Sequence, residues 1–463
     1  MAKGWTVLRG GDVYQSGSLV AADLLVKGER IAAIIGRGED VCVGSPDVTE
    51  IEVSGLAVLP GAIDTHTHTR EPGYTHKEDF ESASRAAAVG GVTTFVDMPN
   101  VDPPTDTVET FRAKREMATG RCMVDWGHWV AGTKPDEIPK LAEAGATGYK
   151  IFQVSGAYPH DPRLALNDEG ALMASFRAIA TTGLPCLVHP FNQRLFDRLS
   201  EEAFAAGKAP NGRLFSEIYT TDVVWSTAVN TLCALQELTG VRLHLLHTHS
   251  AGSLRAIREA KASGARITAE IDPKYYHFTL EQLERLGGRI VPGGFVTQDE
   301  NRMAEIWRSL NDGTIDNVAT DHAPHLLEEV AAADEDAWHA NLGSPQIEWI
   351  YSVILTDVAA GRHSLSTAIR LLSENPAKLV GVWPQKGVLR PGSDADIAVI
   401  DLNRRFTVDE SNIQSKVGWS PYAGWELQGQ VVKTLVRGQL VADLGEPIGP
   451  IGHGRYISGQ PQY

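Results

Sequence analysis

Cysteine is scarce. Four thiols, Cys42, Cys122, Cys186 and Cys233, are spread through 463 residues, and no Cys-x-x-Cys pair occurs. That spacing excludes a thiolate zinc site and a small disulfide framework, so reduced, buried thiols in a cytoplasmic protein are expected. Long apolar runs are lacking as well. No stretch reaches the roughly 18 residues of a membrane span, and the opening Met-Ala-Lys-Gly-Trp-Thr-Val lacks the apolar core of a signal peptide. Basic charge is in deficit: 42 Lys+Arg face 58 Asp+Glu, for a net charge of -16. This balance argues against a nucleic-acid or membrane-surface partner. Internal repeats and low-complexity tracts are absent too. What remains is a globular chain long enough for one large domain, a smaller one and a sizeable core.

The texture changes twice along the chain. Residues 1–56 read as short β-runs, such as Trp5-Thr-Val-Leu and Arg30-Ile-Ala-Ala-Ile-Ile, separated by glycine turns. After Gly61, apolar strand-like runs alternate with helical segments. Strands are expected at 62–68, 92–98, 123–129, 147–152, 184–189, 242–247, 266–271 and 317–321, and helices at 80–89, 135–144 and 251–262 among others. Eight buried strands separated by helices is the pattern of an α/β fold, a (β/α)8 TIM-like barrel. The region exceeds a minimal barrel, so 156–170 and 191–220 are read as extended loops. From about 385 the β texture returns, with Arg437-Gly438 as a turn between two strands, and the segment from 445 is expected to be extended. The simplest architecture is a small β-sandwich domain built from both chain ends (1–56 and 385–463), with the barrel (57–384) inserted between them.

Functional side chains of such barrels gather at the C-terminal ends of the strands. On strand one, Asp64, His66 and His68 share a face, because side chains alternate along a strand. Two imidazoles so placed can reach one divalent metal ion. Strand four carries Lys150. Strand five ends in His189, strand six in His247 and strand eight in Asp321. Singly, each has an ordinary structural explanation: a hydrogen-bonded core histidine, a snorkelling lysine or a helix-capping aspartate. Together, four histidines, one lysine and one aspartate at five strand tips point to a metal site.

These residues resemble the amidohydrolase superfamily, in its cyclic-amide branch of dihydroorotases, hydantoinases and allantoinases. The likeness runs from Gly61-Ala-Ile-Asp-Thr-His-Thr-His through Gly90-Gly-Val-Thr-Thr and Ala319-Thr-Asp-His-Ala-Pro-His to Glu374-Asn-Pro-Ala-Lys and Gly392-Ser-Asp-Ala-Asp. The resemblance implies two divalent cations, zinc foremost. His66, His68 and Asp321 would hold one, and His189 and His247 the second. Lys150 would bridge them as a carbamate formed with carbon dioxide. His249 is an alternative to His247 on the same strand face. Asp321 would also be the catalytic proton carrier in opening a cyclic amide or ureide C–N bond. A homo-oligomer, dimer or tetramer, is a further family expectation.

For the substrate, the dihydroorotase type is the nearest resemblance. Arg70 in His68-Thr-Arg-Glu-Pro-Gly, Asn100 in Met98-Pro-Asn and His325 would clasp a substrate carboxylate. Dihydroorotate, opened reversibly to N-carbamoyl-aspartate, or a close carboxylated analogue is the leading expectation. Arg70 paired with Glu71 or Glu78, and Asn100 capping a turn, is the structural explanation it must beat. Hydantoinases carry a tyrosine about five residues after the lysine, where this chain has Ser155, with Tyr158 close by. Allantoinases typically lack the arginine. One departure from the dihydroorotase pattern stands out: Val291-Pro-Gly-Gly-Phe-Val-Thr-Gln replaces the usual Asn-Pro-Pro-Leu-Arg after strand seven. The alternatives are a hydantoinase or allantoinase acting on an uncharged ring and, in another class, a catalytically inactive scaffold homologue.

Overall fold

The computed structural model describes residues 4–39, 48–155, 161–293 and 299–461. Eight parallel strands pair in chain order. They are β1 (Ala62–Thr67), β2 (Val92–Asp97), β3 (Asp125–Ala131), β4 (Gly148–Phe152), β5 (Pro185–His189), β6 (Arg242–Leu245), β7 (Ile267–Ile271) and β8 (Asn317–Val318). The segment after β8 closes the ring on β1, since His68 N–H donates to His322 O (2.8 Å) and His322 N–H to His66 O (3.2 Å). The barrel expected from the alternating pattern is therefore present, with all eight strands where the apolar runs lie. Two end two or three residues earlier than the sequence suggests. Beyond β6 and β8 the backbone turns left-handed, at His247 (φ 45°) and Asp321 (φ 46°), and an extended strand cannot continue through such residues.

The helix Phe80–Val89 has its expected bounds because both ends carry signals. Asp79 accepts from Ser82 N–H and Ser82 Oγ accepts in return, while Gly90 follows the last turn. The helix read at 135–144 is shorter, Ile138–Glu143, with Pro139 in its first turn, where a missing N–H costs nothing. The supposed loop at 191–220 holds two helices, Gln193–Ala205 and Gly212–Tyr219, each capped by an asparagine. Their apolar faces pack into one aromatic cluster with Trp225 and Trp338. Of the other extended loop, 156–160 lies outside the described residues. Among the described residues no helix is long and apolar enough to cross a membrane.

A separate mixed sheet of ten strands draws on both chain ends. Its junction is Ala57–Pro60, parallel to Asp12–Gln15 and antiparallel to Ile397–Thr407. The chain then passes Gly61 into β1. A Cβ at Gly61 would collide with the Thr93 side chain, so glycine is required for the two units to meet this closely. The sheet is tied to the N-terminal end of the barrel, away from the strand tips. Lys386 Nζ lies 2.6 Å from both Asp125 Oδ2 and Asp396 Oδ2, and Arg437 also contacts Asp125. The last segment is extended, as expected, and runs beneath the barrel: Trp126 N–H donates to Arg455 O (3.0 Å) and Ile457 N–H to Trp126 O (2.8 Å).

Glu348 is buried in the turn Ile347–Trp349 that leads into the helix Ile350–Ala359, and burial pushes its carboxyl up to about 8, although Gln414 and Ser415 N–H groups donate to it. Unfolded, it would ionise near the ordinary glutamate value of 4.5. Its contribution to stability is thus full below that value and declines as pH climbs towards 8, because over this window the folded state holds a proton that the unfolded state has lost. Glu348→Gln should flatten this decline in urea unfolding followed from pH 5 to 8. Parallel wild-type and variant curves would disprove it.

Candidate metal centre

The six strand-tip residues converge. His66 Nε2 and His68 Nε2 lie 3.2 and 3.1 Å from the same atom, Asp321 Oδ1. The His247 ring is 5.0 Å from that of His66 and 4.4 Å from that of His189. Donor atoms of His66, His247 and Asp321 all lie within 4.8 Å of one another, a grouping able to hold a metal ion. Lys150 points from mid-β4 into the same interior, buried, with Nζ 4.4 Å from the Phe152 ring centroid. Two polar atoms here are orphaned. Lys150 Nζ and His247 Nδ1 are buried without a hydrogen-bond partner, which is costly unless the site takes up something more. The donor set of imidazoles and carboxylate suits zinc and similar divalent ions.

Burial governs the electrostatics. It brings the Lys150 amine down to about 7, near Asp321 and Glu270, which act in the opposite sense. It takes the His68 imidazole down to about 3, so the ring is neutral and keeps a lone pair for a cation. Burial would raise Asp321, but Lys274 and His66 outweigh it and hold the carboxylate well below its usual range.

Three of the four imidazoles meet a second group. His66 Nδ1 lies 2.7 Å from Glu270 Oε1, and His68 Nδ1 lies 2.8 Å from Asn100 Oδ1. Since those oxygens can only accept, the Nδ1 atoms carry the protons and the Nε2 lone pairs face Asp321. Tyr219 OH lies 3.3 Å from His189 Nε2. Sequence reading assigned no role to Glu270, Tyr219 or Lys274. Glu270 lies on β7, one residue from its end, and no local pattern marks which histidine it meets.

Between the two histidines of the β6 segment the structure separates the alternatives. His249 turns away, donating from Nδ1 to His247 O (2.8 Å) and stacking on Tyr275 at 4.2 Å, while His247 lies among the other imidazoles. Asp64, which shares the β1 face, is taken up by Thr320, whose N–H donates to it at 3.1 Å.

The three residues expected to read the substrate lie on the β1 side. Arg70 is buried, with Nη2 2.8 Å from His325 Nε2, and its Nε–H donates to Pro324 O (3.0 Å). Among the described contacts, Glu71 meets Arg121 and Glu78 meets Ser82 and Ser415. Asn100 joins through His68, not through Arg70. Arg70 (φ 62°), His247 and Asp321 are three of the six described non-glycine residues with left-handed backbone. Such conformations are costly and gather where geometry serves a function. Residues 294–298, the core of the departure after β7, and Tyr158 lie outside the described residues.

Comparison with known proteins matches the amidohydrolase family profile to residues 57–441. An allantoinase from Deinococcus radiodurans is 34% identical over 95% of this chain and 96% of its own. A dihydroorotase from Syntrophus aciditrophicus is 32% identical over 94% of this chain and 98% of its own. The solved L-hydantoinase from Arthrobacter aurescens superimposes with a TM-score of 0.91 at 31% identity, covering 98% of this chain and 99% of that one.

Proposed function

Because this chain belongs to the amidohydrolase family and is a hydrolase of cyclic amides, we infer that it opens a small carboxylated ring, dihydroorotate or a close analogue, at an amide C–N bond. The supporting observation is Arg70 buried against His325, two residues beyond His68. His66, His68 and Asp321 would hold one divalent cation in this reading, and His189 and His247 a second, with zinc the best match to the donors. Lys150 completes the set as a carbamate. Its amine, brought down to about 7, is substantially uncharged near neutrality and can add to carbon dioxide, releasing one proton.

When bound, the two cations would acidify a water and polarise the ring carbonyl. Asp321 accepts a proton at Oδ2 and returns it to the departing ring nitrogen. Arg70 and His325 orient the ring by its carboxylate, and Asn100 keeps His68 in its working tautomer.

A second reading, an uncharged ring with an apolar substituent, is favoured by one feature. A cavity of about 520 Å³, lined by Phe191, Phe196, Phe215, Tyr219 and Trp338, adjoins His189 through Tyr219. The test is ring opening on dihydroorotate, allantoin, hydantoins and dihydrouracil, with wild type and Arg70→Ala. Loss of one charge-assisted contact should raise KM for a carboxylated ring by roughly 10- to 100-fold. An unchanged KM supports the uncharged ring. Less than about one metal per chain, with no turnover, supports an inactive scaffold.

A further inference from the structure

Lys274 follows β7 in Ile271-Asp272-Pro-Lys, and its ammonium is buried beside the metal centre. Nζ lies 2.7 Å from Asp321 Oδ2 and 2.8 Å from Asp272 Oδ2. Its backbone N–H donates to Asp272 Oδ1 at 3.1 Å, so Asp272 holds both ends of the residue. A lysine is ordinarily a poor choice next to cation ligands, because it adds repulsion. Here Asp272, itself fully buried, offsets that charge locally.

The effect on Asp321 is geometric. A carboxylate turns easily about its last bond. With Oδ1 facing the Nε2 atoms of His66 and His68, only a partner on Oδ2 prevents that rotation, and Lys274 is such a partner. We propose that Lys274, braced by Asp272, is a positioning residue that fixes the Asp321 carboxylate so that Oδ1 faces the metal position and Oδ2 the reacting water. This rests on the assignment of Asp321 as ligand and proton carrier in the proposed ring-opening reaction.

The experiment compares wild type, Lys274→Met, Lys274→Arg and Asp272→Asn, each loaded with cobalt(II). Two properties are read: the visible d–d spectrum, which reports ligand geometry, and kcat and KM on whichever ring the wild type opens. Lys274→Met should alter the spectrum and lower kcat by about 10²-fold, the scale of a slightly misplaced catalytic group, with KM changed less than about threefold. Lys274→Arg, which keeps charge and donors, should restore the spectrum and most of kcat. Asp272→Asn should act in the same direction as methionine but more weakly, and it carries the test if the methionine variant does not fold. A wild-type spectrum and kcat in Lys274→Met or, failing its folding, in Asp272→Asn would overturn the proposal. If the wild type opens no ring, the functional reading fails by itself. The cobalt spectra then still decide whether Lys274 positions Asp321.

Discussion

Lys150→Met is expected to leave the protein at least as stable as wild type while removing its activity and part of its metal. Methionine has nearly the shape of the lysine stem, so the packing between β3 and β5 survives. What disappears is a buried amine without a hydrogen-bond partner, a group that costs free energy where it stands. A residue that only supported the fold would show the opposite: its loss would destabilise. In the proposed reading the amine is kept for its chemistry, carbamate formation, which gives the centre an anion. Turnover should fall by about 10³-fold or more, the scale of losing a positioned charge at a metal site. Elemental mass spectrometry should find the metal content of the variant reduced by about one ion per chain. Native mass spectrometry of the wild type should find one carbon dioxide beyond the mass of the sequence and its bound metal, and no such excess in the variant. A variant with wild-type turnover, or one clearly less stable at full metal content, would refute the role given to Lys150.

Asp321→Asn is the second large effect. The amide is isosteric, and Asp272 still pairs with Lys274, so the chain should fold. Three things change together. The oxygen near His66 and His68 loses its charge, the group can no longer accept a proton, and Lys274 loses one of its two carboxylates. Removal of the proton carrier alone is expected to lower kcat by about 10²- to 10⁴-fold. KM should move little, because Arg70 and His325 lie on the β1 side and do not contact Asp321 through any described hydrogen bond. A variant retaining more than about a tenth of wild-type kcat would show that another group carries the proton.

These expectations begin from side chains that single-sequence periodicity could find. His66 and His68 announce themselves because strand alternation puts both on one face. His189 and Asp321 do so because an apolar run ends at each. The barrel was legible for the same reason: eight buried parallel strands must be apolar almost throughout, and helices must separate them. The helices within 191–220 were harder to see. Leu195, Phe196 and Leu199, and Phe215, Ile218 and Tyr219, recur at helical spacing, but turn and charged residues dominate the stretch, and the Trp225 and Trp338 they pack on come from other parts of the chain.

The sequence by itself therefore determined the architecture of the barrel, the contribution of both chain ends to the separate sheet, and the strand-tip residues that could meet. Only the tertiary structure set His247 among the other imidazoles and turned His249 away, put Asn100 beside His68, and brought in Glu270, Tyr219 and Lys274. The physical reason is one of range. Which face a strand residue occupies follows from its immediate neighbours, whereas the partner that orients it comes from another strand. Lys274 is 47 positions from Asp321 and Glu270 is 204 from His66. Closure of the barrel, and the left-handed backbone at His247 and Asp321, are what make those distances short.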